Sequence, residues 1–186
     1  MAQTPSVMVP LGSKAEDFSL PDVVSGKKVT LADFKDKKAL LVMFICRHCP
    51  YVKNIQNEIA KIGRDYQHKD AGIVAISAND PALYPEDAPE SLADMARELD
   101  FTFPYLFDET QITARKYKAV CTPDFFLFDK HQKLVYRGQI DDSRPGNGIP
   151  VTGRDLREAI EAVLNDRAVN PNQKPSVGCS IKWKTG

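Results

Sequence analysis

Residues 39–54, ALLVMFICRHCPYVKN, constrain this chain more than any other stretch, because seven consecutive apolar residues end directly on the pair Cys46 and Cys49. An apolar run of this length after the charged residues 35–38 predicts a strand buried on both faces of a sheet. Beyond the cysteines the period changes. Val52, Ile55, Ile59 and Ile62 recur at three- and four-residue steps, the stripe of a helix over 50–62 that Gly63 is suited to end. The cysteines therefore lie at a strand-to-helix junction, with Cys46 at or just before the first helical turn, where free N–H groups and the helix dipole favour a thiolate. Arg47 and His48 add positive charge between the sulfurs. Such surroundings bring a thiol from ~8.5 into the range of roughly 3.5–7.5, so Cys46 is expected to be largely ionised at neutral pH. A pair of inert structural thiols is the blander reading, and Cys-x-x-Cys between a strand and a helix favours the redox one.

The length of 186 residues and the 42% hydrophobic content suffice for one sizeable core, so a single domain over residues 1–186 is expected. Lys plus Arg balance Asp plus Glu at 25 each, which gives no bulk field for nucleic acid or an anionic membrane. Residues 1–18 lack the pattern of a secretory signal and no apolar stretch reaches membrane-spanning length, so a cytoplasmic location is expected. In a reducing compartment four cysteines point to catalysis or metal binding rather than a disulfide scaffold.

In chain order, residues 1–17 read as an irregular lead-in, and 18–20 with 29–31 as a hairpin decorating one sheet edge. The strand at 39–45, the helix at 50–62 and a strand at 73–76 form a right-handed parallel crossover, with Cys46 at the carboxyl end of its strand, where open α/β sheets bind ligands. Residues 79–90, with three prolines, read as a loop. A helix is predicted from Ser91, capped by Ser91 and Asp94. A short strand near 103–107, a short helix over 110–117 and two antiparallel strands at 125–128 and 134–137 follow. A last helix is predicted with Thr152 and Asp155 as its cap, and residues 168–186 read as an irregular tail with Trp183 as a packed anchor. His68, His131 and the acidic pairs Glu16–Asp17 and Asp141–Asp142 read as solvated surface groups.

In their order, the segments GSKAEDFSLPD, VTLADFKDKKALLVMF, CRHCP and CTPDFFLFDKHQKLVYRGQIDD resemble the thioredoxin-like superfamily, and within it the redoxin branch related to alkyl hydroperoxide reductase and thiol-specific antioxidant proteins. The resemblance spans residues 12–164. The CRHCPYVK site and the GCSIKW tail, residues 178–183, are similar to a bacterial subgroup of peroxiredoxin-like proteins. The resemblance implies an α/β thioredoxin-like fold with a central mixed sheet flanked by helices. It also implies that Cys46 attacks, that Cys49 resolves, that Pro123 is a cis-proline facing the cysteines, and that the Thr122 backbone pairs with the substrate. Peroxiredoxins carry a proline seven residues and a threonine three residues before the attacking cysteine. Here Ala39 and Met43 precede Cys46, and Val42 and Cys46 precede Cys49. Lys53 stands where some relatives place a glutamate, which leaves Cys49 without an assigned base.

The function expected is thiol–disulfide exchange by the Cys46/Cys49 dithiol in redox homeostasis or antioxidant defence, with a protein or small-molecule disulfide as substrate, a separate reductant, and no cofactor. Arg47 and His48 are the predicted pKa-tuning residues. Cys121, directly before Thr122 and Pro123, is either a third redox thiol or a small apolar filler. The alternatives are a zinc or copper(I) site built on Cys46, His48 and Cys49 with Cys121 or Cys179, and a thiol peroxidase.

Overall fold

The computed structural model describes residues 3–185; Met1, Ala2 and Gly186, which the lead-in and tail expectations include, lie outside the described residues. Its elements are β1 (Gln3–Pro5), β2 (Ser19–Pro21), β3 (Lys28–Thr30), β4 (Ala39–Phe44), α1 (Pro50–Tyr66), β5 (Ala71–Ser77), α2 (Pro89–Glu98), β6 (Tyr105–Phe107), α3 (Ile112–Lys116), β7 (Cys121–Thr122), β8 (Asp124–Asp129), β9 (Leu134–Gly138), α4 (Arg154–Leu164) and β10 (Val177–Ser180). The main sheet runs β6-β5-β4-β8-β9, with β4, β5 and β6 parallel and β8 and β9 antiparallel. This is the expected mixed sheet, and β4 lies at its centre.

All six residues of β4 are buried, and their alternation explains why the run has no polar member. Leu41 and Met43 join the core formed by Val52, Ile55, Ile59 and Ile62 of α1 and Leu156 and Ile160 of α4. Leu40, Val42 and Phe44 face the opposite core, with Tyr117, Phe126 and Ile181. Each side chain of the α1 stripe contributes about 1.5–3 kcal/mol by burial, more than the helix could gain from propensity alone. The β2–β3 hairpin leans on the β6 edge, where the buried Asp22 carboxylate accepts the Tyr105 N–H at 3.0 Å. No helix among the described residues is long and apolar enough to cross a membrane.

Several local expectations are corrected. Helix α1 continues through Gly63 to Tyr66, because Gly63 serves a close approach rather than a cap: a Cβ there would lie 2.7 Å from the Phe103 ring. Helix α2 starts at Pro89, two residues before Ser91, since proline at the first helical position needs no N–H partner and has its φ preset. Ala88 is the N-cap, and Asp94 pairs with Arg97 instead of closing a capping box. The N-cap of α4 is Gly153, and Asp155 bonds Gln139 and Arg154. Asp141 is buried, its carboxylate accepting the N–H groups of Ser143, Thr152 and Gly153, so it organises the loop before α4 instead of standing in solvent. His68 and His131 are exposed, as expected.

The ends of the chain depart furthest from the sequence reading. Strand β1 in the lead-in and β10 in the tail pair antiparallel, and β10 pairs in turn with β7. Trp183 is half-buried, with the Arg115 guanidinium 4.3 Å from its ring centre, which fits the anchor reading.

A Gly63→Ala variant separates the two roles of Gly63. Helix propensity alone favours alanine by about 1 kcal/mol, whereas overpacking a filled core costs about 1–3 kcal/mol. The contact with Phe103 predicts net destabilisation in urea unfolding, relieved in Gly63→Ala/Phe103→Leu. A stabilised single variant would contradict the packing.

Candidate active site

The turn from Cys46 to Cys49 leaves the carboxyl end of β4 and enters α1 with Cys49 as its N-cap and Pro50 as its first residue. Its backbone is held by one buried carboxylate. Asp87 Oδ1 accepts the N–H groups of Arg47 at 2.8 Å and His48 at 3.1 Å, while Oδ2 accepts from His48 Nδ1 at 2.5 Å and Asn79 Nδ2 at 2.8 Å. Burial alone would raise the Asp87 pKa, but the His48 and Asn79 hydrogen bonds hold it below the usual carboxylate value. The His48 ring stacks on Tyr84 at 4.2 Å between centres, and its Nε2 is buried without a partner.

The cis peptide Thr122–Pro123 faces this turn, as the resemblance implied. Thr122 touches both sulfurs: its Oγ1 lies 3.2 Å from Cys46 Sγ and its carbonyl oxygen 3.2 Å from Cys49 Sγ. The next residue, Asp124, is fully buried against Arg137 at 3.0 Å, and the guanidinium also reaches the carbonyls of Tyr117 and Lys118. This pair fixes the end of β8 relative to the loop before β7. Burial raises the Asp124 carboxyl to about 7 despite Arg137.

Both sulfurs are 0% exposed, and their environments differ. Burial first, then the hydrogen bond to Cys49 and the nearby Asp87 charge, push the Cys46 thiol well above its ordinary value. Cys49 is lowered to about 5, chiefly by the hydrogen bond from Cys46, with burial opposing and with Cys179 and the Val52 N–H assisting. A protonated Cys49 would instead donate to the Thr122 carbonyl. The two thiols are thus shifted in opposite directions, and ionisation of the pair favours Cys49 over Cys46.

This reverses the expected assignment, in which Cys46 is the ionised thiol. The Arg47 side chain pairs with α2 and not with the sulfurs: with its N–H held by Asp87, it donates to the Ser91 carbonyl and to Glu98 at 3.0 Å. His48 Nδ1 lies 3.7 Å from Cys46 Sγ, but its short hydrogen bond goes to Asp87. The Thr122 backbone edge, implied as the substrate-binding strand, is occupied by β10, with Cys179 opposite Thr122. Cys121 is buried, its thiol pushed up by burial and by Asp124 and directed at the Pro123 carbonyl, as suits a filler. Asp87, Asn79 and Tyr84 were not singled out by the sequence, and Cys179 only as an alternative metal ligand and by its place in the GCSIKW tail. A lone Asp in a proline-rich stretch carries no periodic signal.

The AhpC/TSA family profile matches residues 11–137. No curated protein matches the chain. Among solved structures, an uncharacterised conserved protein from Geobacillus kaustophilus is 52% identical with a TM-score of 0.97, the match covering 100% of this chain and 98% of that one. A hypothetical protein from Sinorhizobium meliloti 1021 is 48% identical with a TM-score of 0.96, covering 98% and 100%. The thioredoxin domain of a thiol-disulfide oxidoreductase from Bacteroides vulgatus, 22% identical with a TM-score of 0.59 over 70% and 89%, shares the fold.

Ultraviolet thiolate absorbance of the reduced protein is predicted to rise with a midpoint near the Cys49 value of about 5. That step disappears in Cys49→Ser and is unmoved in Arg47→Gln. Because this folded value lies below that of a free thiol, ~8.5, the stability contributed by the Cys49 thiolate is complete above that pH and is lost as pH falls through the folded value. Denaturant unfolding of reduced wild type should show this acid loss and Cys49→Ser should lack it. A midpoint that moves by a unit or more in Arg47→Gln would restore the cation to the site.

Proposed function

The chain belongs to the AhpC/TSA family, and from that premise we propose that it is a thiol–disulfide oxidoreductase working through Cys46 and Cys49. The observation that carries the reading is the buried Cys46 and Cys49 pair, each sulfur 3.2 Å from an oxygen of Thr122, beside the cis Thr122–Pro123 bond. Cys49 is closed in by the Thr122 carbonyl and Cys179, which leaves Cys46 as the sulfur that meets an incoming disulfide. The approach requires the cover over Cys46 to open. The Cys46 proton passes along its hydrogen bond to Cys49, and the Cys46 thiolate attacks the substrate disulfide, expelling one substrate thiolate. That thiolate takes the proton from Cys49. Cys49 then attacks Cys46, forming the Cys46–Cys49 disulfide and releasing the second substrate thiolate. A sulfur that favours ionisation needs no separate base, which answers the absence of a glutamate near Lys53. A protein or small-molecule disulfide is the substrate class, and a separate thiol reductant restores the dithiol.

A second reading has one observation in its favour: the ligand atoms of Cys46, His48 and Asp87 lie within 4.8 Å of one another. The donors are sulfur, imidazole and carboxylate, a set zinc accepts, with Asp87 joining Cys46 and His48 and with the expected Cys49, Cys121 and Cys179 outside the group. The His48 Nδ1 such a site would use is already bonded to Asp87, so exchange chemistry is the stronger reading. Stoichiometric zinc that survives dialysis and is released by thiol modification would reverse that ranking.

Cys46→Ser is predicted to abolish disulfide exchange, while Cys49→Ser accumulates a mixed disulfide with substrate at Cys46. Mass spectrometry of trapped adducts decides the roles, and equal trapping by both variants would mean they are misassigned. Stopped-flow reduction of a model disulfide and of hydrogen peroxide by one pre-reduced sample distinguishes exchange from peroxidase activity. Faster reaction with peroxide would overturn the proposal.

A further inference from the structure

The tail carries more than a packing role. Strand β10 lies between β1 and β7, with Cys179 opposite Gln3 on one side and Thr122 on the other. It is pressed onto the cis-proline loop: a Cβ on Gly178 would stand 1.9 Å from the Thr122 carbonyl oxygen, so only glycine permits this approach. Ser176 Oγ donates to the Pro123 carbonyl at 2.6 Å, and the Lys182 N–H donates to Asn79 Oδ1 at 2.8 Å, the same amide that bonds Asp87. Cys179 is therefore fixed beside the dithiol by bonds on both sides. Its thiol is 1% exposed and shares the core cluster of Cys46 and Cys49, opposite the Thr122 whose side chain and carbonyl touch the two sulfurs at 3.2 Å, so the dithiol, and not a thiol from solvent, is its accessible reaction partner.

We propose that Cys179 is a third redox thiol, exchanging with the Cys46–Cys49 disulfide to give a Cys49–Cys179 disulfide and a free Cys46. The proposal rests on the dithiol reading above and extends it. In the exchange Cys179 loses its proton and its sulfur attacks Cys49 Sγ. The Cys49–Cys179 bond forms as the Cys46–Cys49 bond breaks, the electron pair leaves on Cys46, and Cys46 takes up the proton. One disulfide and one thiol are present before and after, so no outside oxidant or reductant enters the step. In the reduced protein the neighbouring Cys49 charge helps hold Cys179 protonated, and disulfide formation at Cys49 removes that charge. The exchange is thus enabled only once the dithiol has been oxidised, and it stores the oxidising equivalent in the tail while Cys46 returns to its thiol form.

The test uses the full chain, pre-reduced and treated with one equivalent of diamide, which takes up the two hydrogens lost as a disulfide forms. Alkylation and non-reducing peptide mapping then locate the links. Wild type should give both the Cys46–Cys49 and the Cys49–Cys179 peptides. Cys46→Ser should still lose two titratable thiols per chain, mapped to Cys49–Cys179, and Cys179→Ser should give Cys46–Cys49 alone. Circular dichroism of each variant verifies the fold, and the wild-type map needs no substitution. Absence of the Cys49–Cys179 peptide from wild type, whether or not Cys46→Ser forms it, overturns the exchange. Absence of Cys46–Cys49 from Cys179→Ser is a separate result, which overturns the dithiol reading itself.

Discussion

Four hydrogen bonds converge on the carboxylate of Asp87, and the placement of both cysteines depends on them. Two come from the backbone of the turn, one from the ring between the sulfurs and one from Asn79. Hydrogen bonds to a charged group contribute about 1.5–3 kcal/mol each, and a buried carboxylate deprived of them would be strongly destabilising. The turn is therefore held by a charge that the fold must keep satisfied. Asn79 shares its amide between Asp87 and the Lys182 N–H, so the dithiol turn, the stretch after β5 and the tail form one connected polar network.

The same carboxylate adds to what burial and Cys49 already do to the Cys46 thiol. A buried negative charge near Cys46 opposes ionisation there, and Arg47, the cation that could have balanced it, is drawn away to Glu98. Cys49 gains instead from its position at the helix N-terminus and from thiol donors on both sides. The result is a dithiol in which ionisation favours the inner sulfur. In the exchange proposed above, attack by Cys46 would begin with a proton moving between the two, and the rate of that step would depend on the internal transfer as well as on access.

Much of the architecture is legible in the chain because its signals are periodic. The seven apolar residues ending at Ile45, the Val52–Ile55–Ile59–Ile62 stripe and the paired runs around the turn at Asp129 each announce an element and a buried face. Gly63 misleads because a glycine in a helix that meets an aromatic ring from another segment looks, in sequence, like one that ends a helix. Strand β10 is hidden for a different reason: only four residues long, it takes its stability from pairing with β1 and β7, contacts that span most of the chain. The cysteine pair and the cis-proline were legible from their motifs. The direction of the Arg47 side chain and the role of Asp87 were not, since each follows from what lies across the turn in space.

The position of β10 also orders the events of synthesis. Everything that forms the dithiol turn, from β4 through Asp87 to the Thr122–Pro123 loop, precedes residue 125 in the chain, whereas Gly178, Cys179 and Lys182 come after α4. A nascent chain therefore possesses Cys46 and Cys49, with the β7 edge open, well before the strand that pairs with that edge has been made. During that interval Cys49 lacks both its Cys179 neighbour and the shield of the tail. The newborn protein thus differs from the finished one in what surrounds Cys49, and the last strand to arrive completes that environment.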